Sequence, residues 1–209
     1  MKQQQNRNRL LHMVYLAVLV AILILLEVTG LGMIKTAGWE MTILQVPVLV
    51  GAIALGPTSG AFLGGVFGFI SLWEGISGKS PFGAALFGIN PVYFFILCVV
   101  TRILMGWLCG LIFKGLQKTM PRSRIAPFAV AALSGALLNT IFFMTAFISL
   151  FGKSDYVQNI QSMMGTPALF PFLIALVGLQ GLVEAGICFF AGTALSRAIY
   201  QFVNKDART

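Results

Sequence analysis

The chain has 209 residues, of which 58% are hydrophobic and only 10% charged, with a mean hydropathy of +0.91. A soluble fold of this size has no way to cover so much apolar surface. Its formal net charge of +8 would invite a nucleic-acid reading in a soluble protein, but the cations flank long apolar runs and read as membrane topology.

The runs predict an all-α integral membrane protein, one bundle over residues 1–209 with six spans near 10–34, 42–56, 59–76, 88–116, 125–151 and 169–203. A spanning helix needs about 20 mainly apolar residues, and these stretches are too continuous for barrel strands, which alternate over about 10 residues. The first run, Leu10 to Ile34, is longer than the apolar core of a secretory signal, and no small-residue cleavage site precedes Glu27. Ala17 and Ala21 stand four apart on this span, a small-residue spacing that suits either packing within the chain or close approach of a partner helix.

Gly56-Pro57-Thr58-Ser59-Gly60 forms a tight uncharged turn between the second and third spans. Gly60, Gly64 and Gly68, then Gly106 and Gly110, form ladders that let helix backbones approach closely. Three longer connections, 31–41, 75–90 and 152–168, fall on one side, and their length points to a pocket beneath them. Lys2, Arg7, Arg9, Lys114, Lys118, Arg122, Arg124, Arg197, Lys205 and Arg208 flank the spans on the other side. Lys35, Lys79 and Lys153 lie with the long connections, so the positive-inside rule places both termini in the cytoplasm.

Gly78-Lys79-Ser80 and Gly152-Lys153-Ser154 mimic the end of a phosphate-binding loop, but the leading glycine is Trp73 in one and Phe147 in the other. No ATP site is expected, and any ATP-driven step belongs to another subunit. His12, the only histidine, lies at the cytoplasmic edge of the first span, far from any candidate nucleophile on the outer face, so neither hydrolytic nor zinc chemistry is expected around it. Cys98, Cys109 and Cys188 fall inside apolar spans and read as buried packing residues. Neither a metal nor a cofactor is expected, and the chain is not read as an enzyme.

Polar side chains at similar depth carry the functional signal. Arg102 lies about 18 Å from Lys114 at the helical rise, and Glu184 about 20 Å from Arg197. Both therefore sit near the bilayer midplane, where an ionisable residue is normally paired or functional. Gln180 shares a helical face with Glu184, and Asn139 reaches a similar depth. Arg102 and Glu184 can form a buried ion pair, or Arg102 can face an acidic solute while Glu184, Gln180 and Asn139 hydrogen-bond around it. Trp73, Glu74, Asn90 and Tyr93 stand nearer the outer mouth and are placed to wall a pocket.

Several segments resemble the substrate-binding S components of energy-coupling factor (ECF) vitamin transporters. They are His12–Ile22 with its alanine pair, Leu44 to Pro57, Gly60 to Gly68, and Thr101-Arg102-Ile103-Leu104-Met105-Gly106. Pro47 to Gly68, Pro91 and Arg102 look most like the pantothenate type. The resemblance implies a six-helix subunit that captures a vitamin outside, topples in the membrane and docks on a transmembrane coupling protein driven by two cytoplasmic ATPases. It also implies that Ala17 and Ala21 belong to the docking face. Pantothenate, a monoanion with an amide and two hydroxyls, suits one buried cation among neutral polar groups. The same chemistry admits folate or another vitamin. A self-sufficient channel or ion-coupled carrier using Arg102 and Glu184 is the alternative class.

Overall fold

A computed structural model describes residues 2–36, 39–120, 122–163 and 181–206. The chain folds as a multi-pass membrane protein. Among the described residues five helices are long and apolar enough to cross a bilayer: Arg9–Val28, Pro57–Ile76, Pro91–Thr119, Ala126–Phe151 and Gly181–Val203. We label the elements α1 (Lys2–Val28), β1 (Met33–Thr36), β2 (Trp39–Thr42), α2 (Gln45–Ala54), α3 (Pro57–Ile76) and α4 (Pro81–Ile89). They continue with α5 (Pro91–Thr119), α6 (Ala126–Phe151), α7 (Asp155–Met163) and α8 (181–206).

The described residues are overwhelmingly helical, as the all-α reading expects, and the connection 31–41 holds a short antiparallel hairpin, β1 with β2, in which Met33 is opposite Thr42 and Thr36 opposite Trp39. One expectation from sequence needs correction. The second predicted span, 42–56, is not a full-length helix. Its first residue belongs to β2, and Gly56, at φ 105°, turns the chain into α3, whose first residue is Pro57. The helix left between them, α2, has 10 residues, about 15 Å of rise against a hydrocarbon core of about 30 Å. All of its residues are buried, so its backbone is shielded by protein along its length.

The long connections also hold structure. Residues 75–90 carry α4, whose N-terminal N–H of Gly83 is capped by Ser80 Oγ at 3.0 Å. Asn90 then starts α5, its Oδ1 accepting from Val92 N at 3.0 Å and Tyr93 N at 3.1 Å. That cap shifts the helix predicted at 88–116 to Pro91–Thr119. Lys79 Nζ meets Glu27 Oε1 at 3.1 Å, joining this connection to the end of α1. With Lys79 about half exposed, the pair contributes at most about 1 kcal/mol.

The core is built around α2, with Leu19 and Leu23 of α1, Leu63 and Phe67 of α3, Met105 and Cys109 of α5, Ala131 and Ala132 of α6 and Cys188 of α8 packed into one cluster. The tightest seam lies between α3 and α5, which run antiparallel with glycine facing backbone along their length. A methyl group on Gly60 would collide with Gly106 O, and one on Gly64 with Arg102 O. A methyl on Gly68 would lie 2.7 Å from Val99 Cα, and one on Gly110 would lie 2.6 Å from Pro57 Cα. The ladders are thus internal packing faces.

The hairpin, α4 and α7 gather at one end of the bundle. At the opposite end His12 Nε2 and Ser59 Oγ lie 2.9 Å apart, and Gln117 Nε2 donates to Tyr200 Oη at 2.7 Å. Phe113 and Phe128 pack beside them, each edge to face with Tyr200. The beginning of α1 and the end of α8 therefore share that end.

The seam makes a direct prediction. Gly106→Ala should lower the melting temperature of the detergent-purified protein by several degrees, since overpacking typically costs about 1–3 kcal/mol. Gly115→Ala, on the same helix but facing open space, should leave it unchanged or slightly raised.

Candidate functional site

The site starts from an irregularity in α5. Residues Ile96–Val100 form a π turn, a wider turn that leaves carbonyl oxygens short of regular helical partners. Side chains fill the deficit. Thr101 Oγ1 donates to Leu97 O at 2.6 Å, and Arg102 Nη1 donates to Cys98 O at 3.0 Å and Leu97 O at 3.4 Å. The Arg102 side chain is therefore drawn back along its own helix toward the hairpin end.

There it is sandwiched. The guanidinium carbon lies 4.5 Å from the centroid of Phe67 on α3 and 5.5 Å from that of Phe143 on α6. Such contacts are worth roughly 2 kcal/mol or more when desolvated, a substantial offset for a cation 7% exposed. Glu74 and Glu184 both lie within electrostatic range of Arg102. Arg102 Nε has no hydrogen-bond partner among the described residues, so the planar group keeps a donor edge free.

Glu184 on α8 is buried, and its Oε1 accepts from Thr42 N at 2.8 Å. This bond ties the end of β2 to α8 and fixes where α2 begins. Asn139, 8% exposed, sits one turn before Phe143 on α6. Arg102, Glu184 and Asn139 are thus all interior, on three helices around α2. Gln180 lies outside the described residues.

The outer candidates are arranged differently. Trp73 is 62% exposed and Tyr93 41% exposed, the latter with its ring edge-on to Phe151 at 6.1 Å. Asn90 uses its oxygen to cap α5. By contrast Glu74, next to Trp73, turns inward and is 3% exposed. Two other contributors escape sequence reasoning. Phe67 and Phe143 are ordinary aromatics in apolar spans, and nothing in their spacing marks them as the walls around Arg102. Gln45 leaves a signal, a single amide opening an otherwise apolar run, and it is 1% exposed.

Ala17 and Ala21 are exposed and do not pack inside the chain. With Met13, Leu16, Ile24 and Phe62 they line an open apolar groove of about 370 Å³ between α1 and α3. The His12–Ser59 contact also joins α1 to α3. The two lysines of the phosphate-loop mimics lie at the hairpin end, Lys79 being paired with Glu27. Cys98, Cys109 and Cys188 are free thiols and buried. Among the described residues no group of three or more metal-ligating side chains comes together.

A bundle with an interior cation, interior carboxylates and an apolar flank groove has the parts of a solute carrier. The family profile "ECF transporter, substrate-specific component" matches residues 11–195. The chain belongs to that family, a class of transporter component rather than of enzymes. Over 105 residues it is 35% identical to the protein named Pantothenate transporter PanT of Leuconostoc mesenteroides subsp. mesenteroides, covering 50% of this chain and 49% of the relative. The chain thus spans about half the length of that relative in the match. It is also 25% identical over 201 residues to Pantothenic acid transporter PanT of Lactococcus lactis subsp. cremoris, 91% of this chain and 94% of the relative.

Because a hydrogen bond to a charged group contributes about 1.5–3 kcal/mol, Glu184→Ala should loosen the hairpin. Amide deuterium exchange over residues 33–44 should then rise about tenfold or more. Glu184→Gln, which keeps an acceptor oxygen, should show a much smaller rise.

Proposed function

We propose that this chain is the vitamin-capturing subunit of an ATP-driven ECF transporter and that its substrate is pantothenate, bound from the extracellular side. The observation that carries the reading is the interior guanidinium of Arg102, held between Phe67 and Phe143 with an Nε that has no hydrogen-bond partner among the described residues. A carboxylate is the natural partner for such a group. The relatives' names supply the vitamin, and its amide and hydroxyls suit the neutral polar side chains nearby. Asn139 and Glu184 complete the binding set with Gln180, while Trp73, Asn90 and Tyr93 border its mouth.

The chain makes six passages with α2 as a short, protein-sheathed second passage, and both termini face the cytoplasm. Lys114, Lys118 and Arg197 lie at the end opposite the hairpin, as the positive-inside rule requires of a cytoplasmic face. The hairpin end then faces outward and admits the vitamin. The groove over Ala17 and Ala21 seats the transmembrane coupling protein in the bacterial plasma membrane. Two cytoplasmic ATPases drive that partner, since the chain carries no ATP site of its own.

Purified protein without nucleotide should bind pantothenate in isothermal titration. Arg102→Gln should weaken that binding about 100-fold or more, because truncating one partner of a buried charged pair costs about 2–5 kcal/mol. Tight binding of another vitamin with no response to pantothenate would overturn the substrate assignment. Ala17→Trp or Ala21→Trp should abolish uptake by cells carrying the whole transporter while leaving pantothenate affinity within about threefold, because bulk in the groove blocks close helix approach. Equal loss of binding would show that bulk there disturbs the solute site and would overturn the docking assignment.

A further inference from the structure

Gln45 is the only polar side chain in α2. It stands at the first position of the helix, 1% exposed, and neither Nε2 nor Oε1 has a hydrogen-bond partner among the described residues. The thiol of Cys188 approaches the amide, but sulfur is a weak donor and acceptor and makes no bond of regular geometry to either atom. A carboxamide offers two donors and an acceptor with two lone pairs. Leaving such a group buried and unsatisfied costs about 1–3 kcal/mol, more than a packing role needs, since leucine or methionine would fill the same space without penalty.

Its position explains the exception. Cys188 lies one helical turn from Glu184 on α8, and Glu184 Oε1 holds Thr42 N three residues before Gln45. Gln45 and Glu184 are therefore neighbours on one wall. Glu184 also lies within electrostatic range of Arg102, so this wall and the guanidinium belong to one interior. The two parts demand opposite things of a solute. Arg102 attracts a carboxylate, whereas the carboxylate of Glu184 repels one and accepts hydrogen bonds from hydroxyl or amide N–H groups.

We infer that Gln45 is a specificity-determining residue that reads the neutral, hydroxyl- and amide-bearing end of the bound solute beside Glu184, while the solute's carboxylate points to Arg102. The inference rests on the proposed capture of a vitamin anion and adds the direction in which the anion lies. It also assigns a reason for the unsatisfied amide: the ligand, and not the protein, completes its hydrogen bonds. A wall built to hydrogen-bond a substrate rejects analogues lacking those groups far more strongly than an apolar wall does.

The test uses the full chain in detergent, Gln45→Met as a volume-matched apolar replacement, and pantothenate and pantothenol as probes. In pantothenol a hydroxymethyl group replaces the carboxylate. Gln45→Met should weaken pantothenate about 10- to 100-fold and leave the preference for pantothenate over pantothenol intact, while Arg102→Gln should erase that preference. Without ligand, Gln45→Met should melt at or above the wild-type temperature, because an unpaired buried amide is gone. A lower melting temperature of the ligand-free variant would make Gln45 a structural amide and overturn the inference. Unchanged pantothenate affinity, or loss of the preference over pantothenol, would overturn it equally. If wild-type protein binds no pantothenate, the substrate assignment fails while the ligand-free melting temperature still decides Gln45. Gln45→Leu repeats both measurements should the methionine variant fail to fold.

Discussion

The contact of α3 with α5, backbone against backbone along two glycine ladders, is the constraint on which the rest of the molecule hangs. Lipid tails are as apolar as leucine, so helices in a membrane gain little by hiding hydrophobic surface and must gain by fit. Gly60 against Gly106 and Gly64 against the carbonyl of Arg102 provide that fit. The seam also sets register. It brings Phe67, one turn after Gly64 on α3, to the level of Arg102 on α5, so one face of the cation is walled by the same packing that joins the helices. Small residues thus position a charged one.

A charge in this interior is expensive, and the fold meets the expense locally. The π turn frees carbonyl oxygens beside the guanidinium, and two aromatic rings offer their negative faces. Helical irregularity and an interior arginine are therefore one device. A regular α-helix through Ile96–Val100 would direct the Arg102 side chain elsewhere and leave it without those acceptors. The second π turn, Cys188–Gly192, begins one turn after Glu184 on α8, so Arg102 and Glu184 each adjoin a widened stretch of helix.

Much of this was readable from sequence, and the limits are physical. Apolar run length finds the long helices because the bilayer sets a length, and the glycine ladders predict the α3–α5 seam because four-residue spacing is one helical face. Arg102, Glu184 and Asn139 stand out because polar residues are rare in such runs. Run length failed for α2, where a strand end and a positive-φ glycine cut a continuous apolar stretch down to a short helix. Continuous hydropathy records burial, and burial inside protein looks the same as burial in lipid. The inward turn of Glu74 beside the outward Trp73 depends on helix rotation at the end of α3, which a short amphipathic stretch does not fix. Gln180 belongs to the residues outside the described ones, so its place in the site rests on sequence alone.

The groove along α1 has a thermodynamic meaning that depends on its solvent. In water, an open apolar hollow lined by Ala17, Ala21 and Phe62 would drive sticking to almost any greasy surface. In a bilayer, acyl chains fill it at almost no cost and leave again as readily. Whatever replaces those chains gains only through shape, since one apolar filling is exchanged for another. An interface of that kind can be selective without being tight, and a subunit that carries it can leave its partner as readily as it arrives.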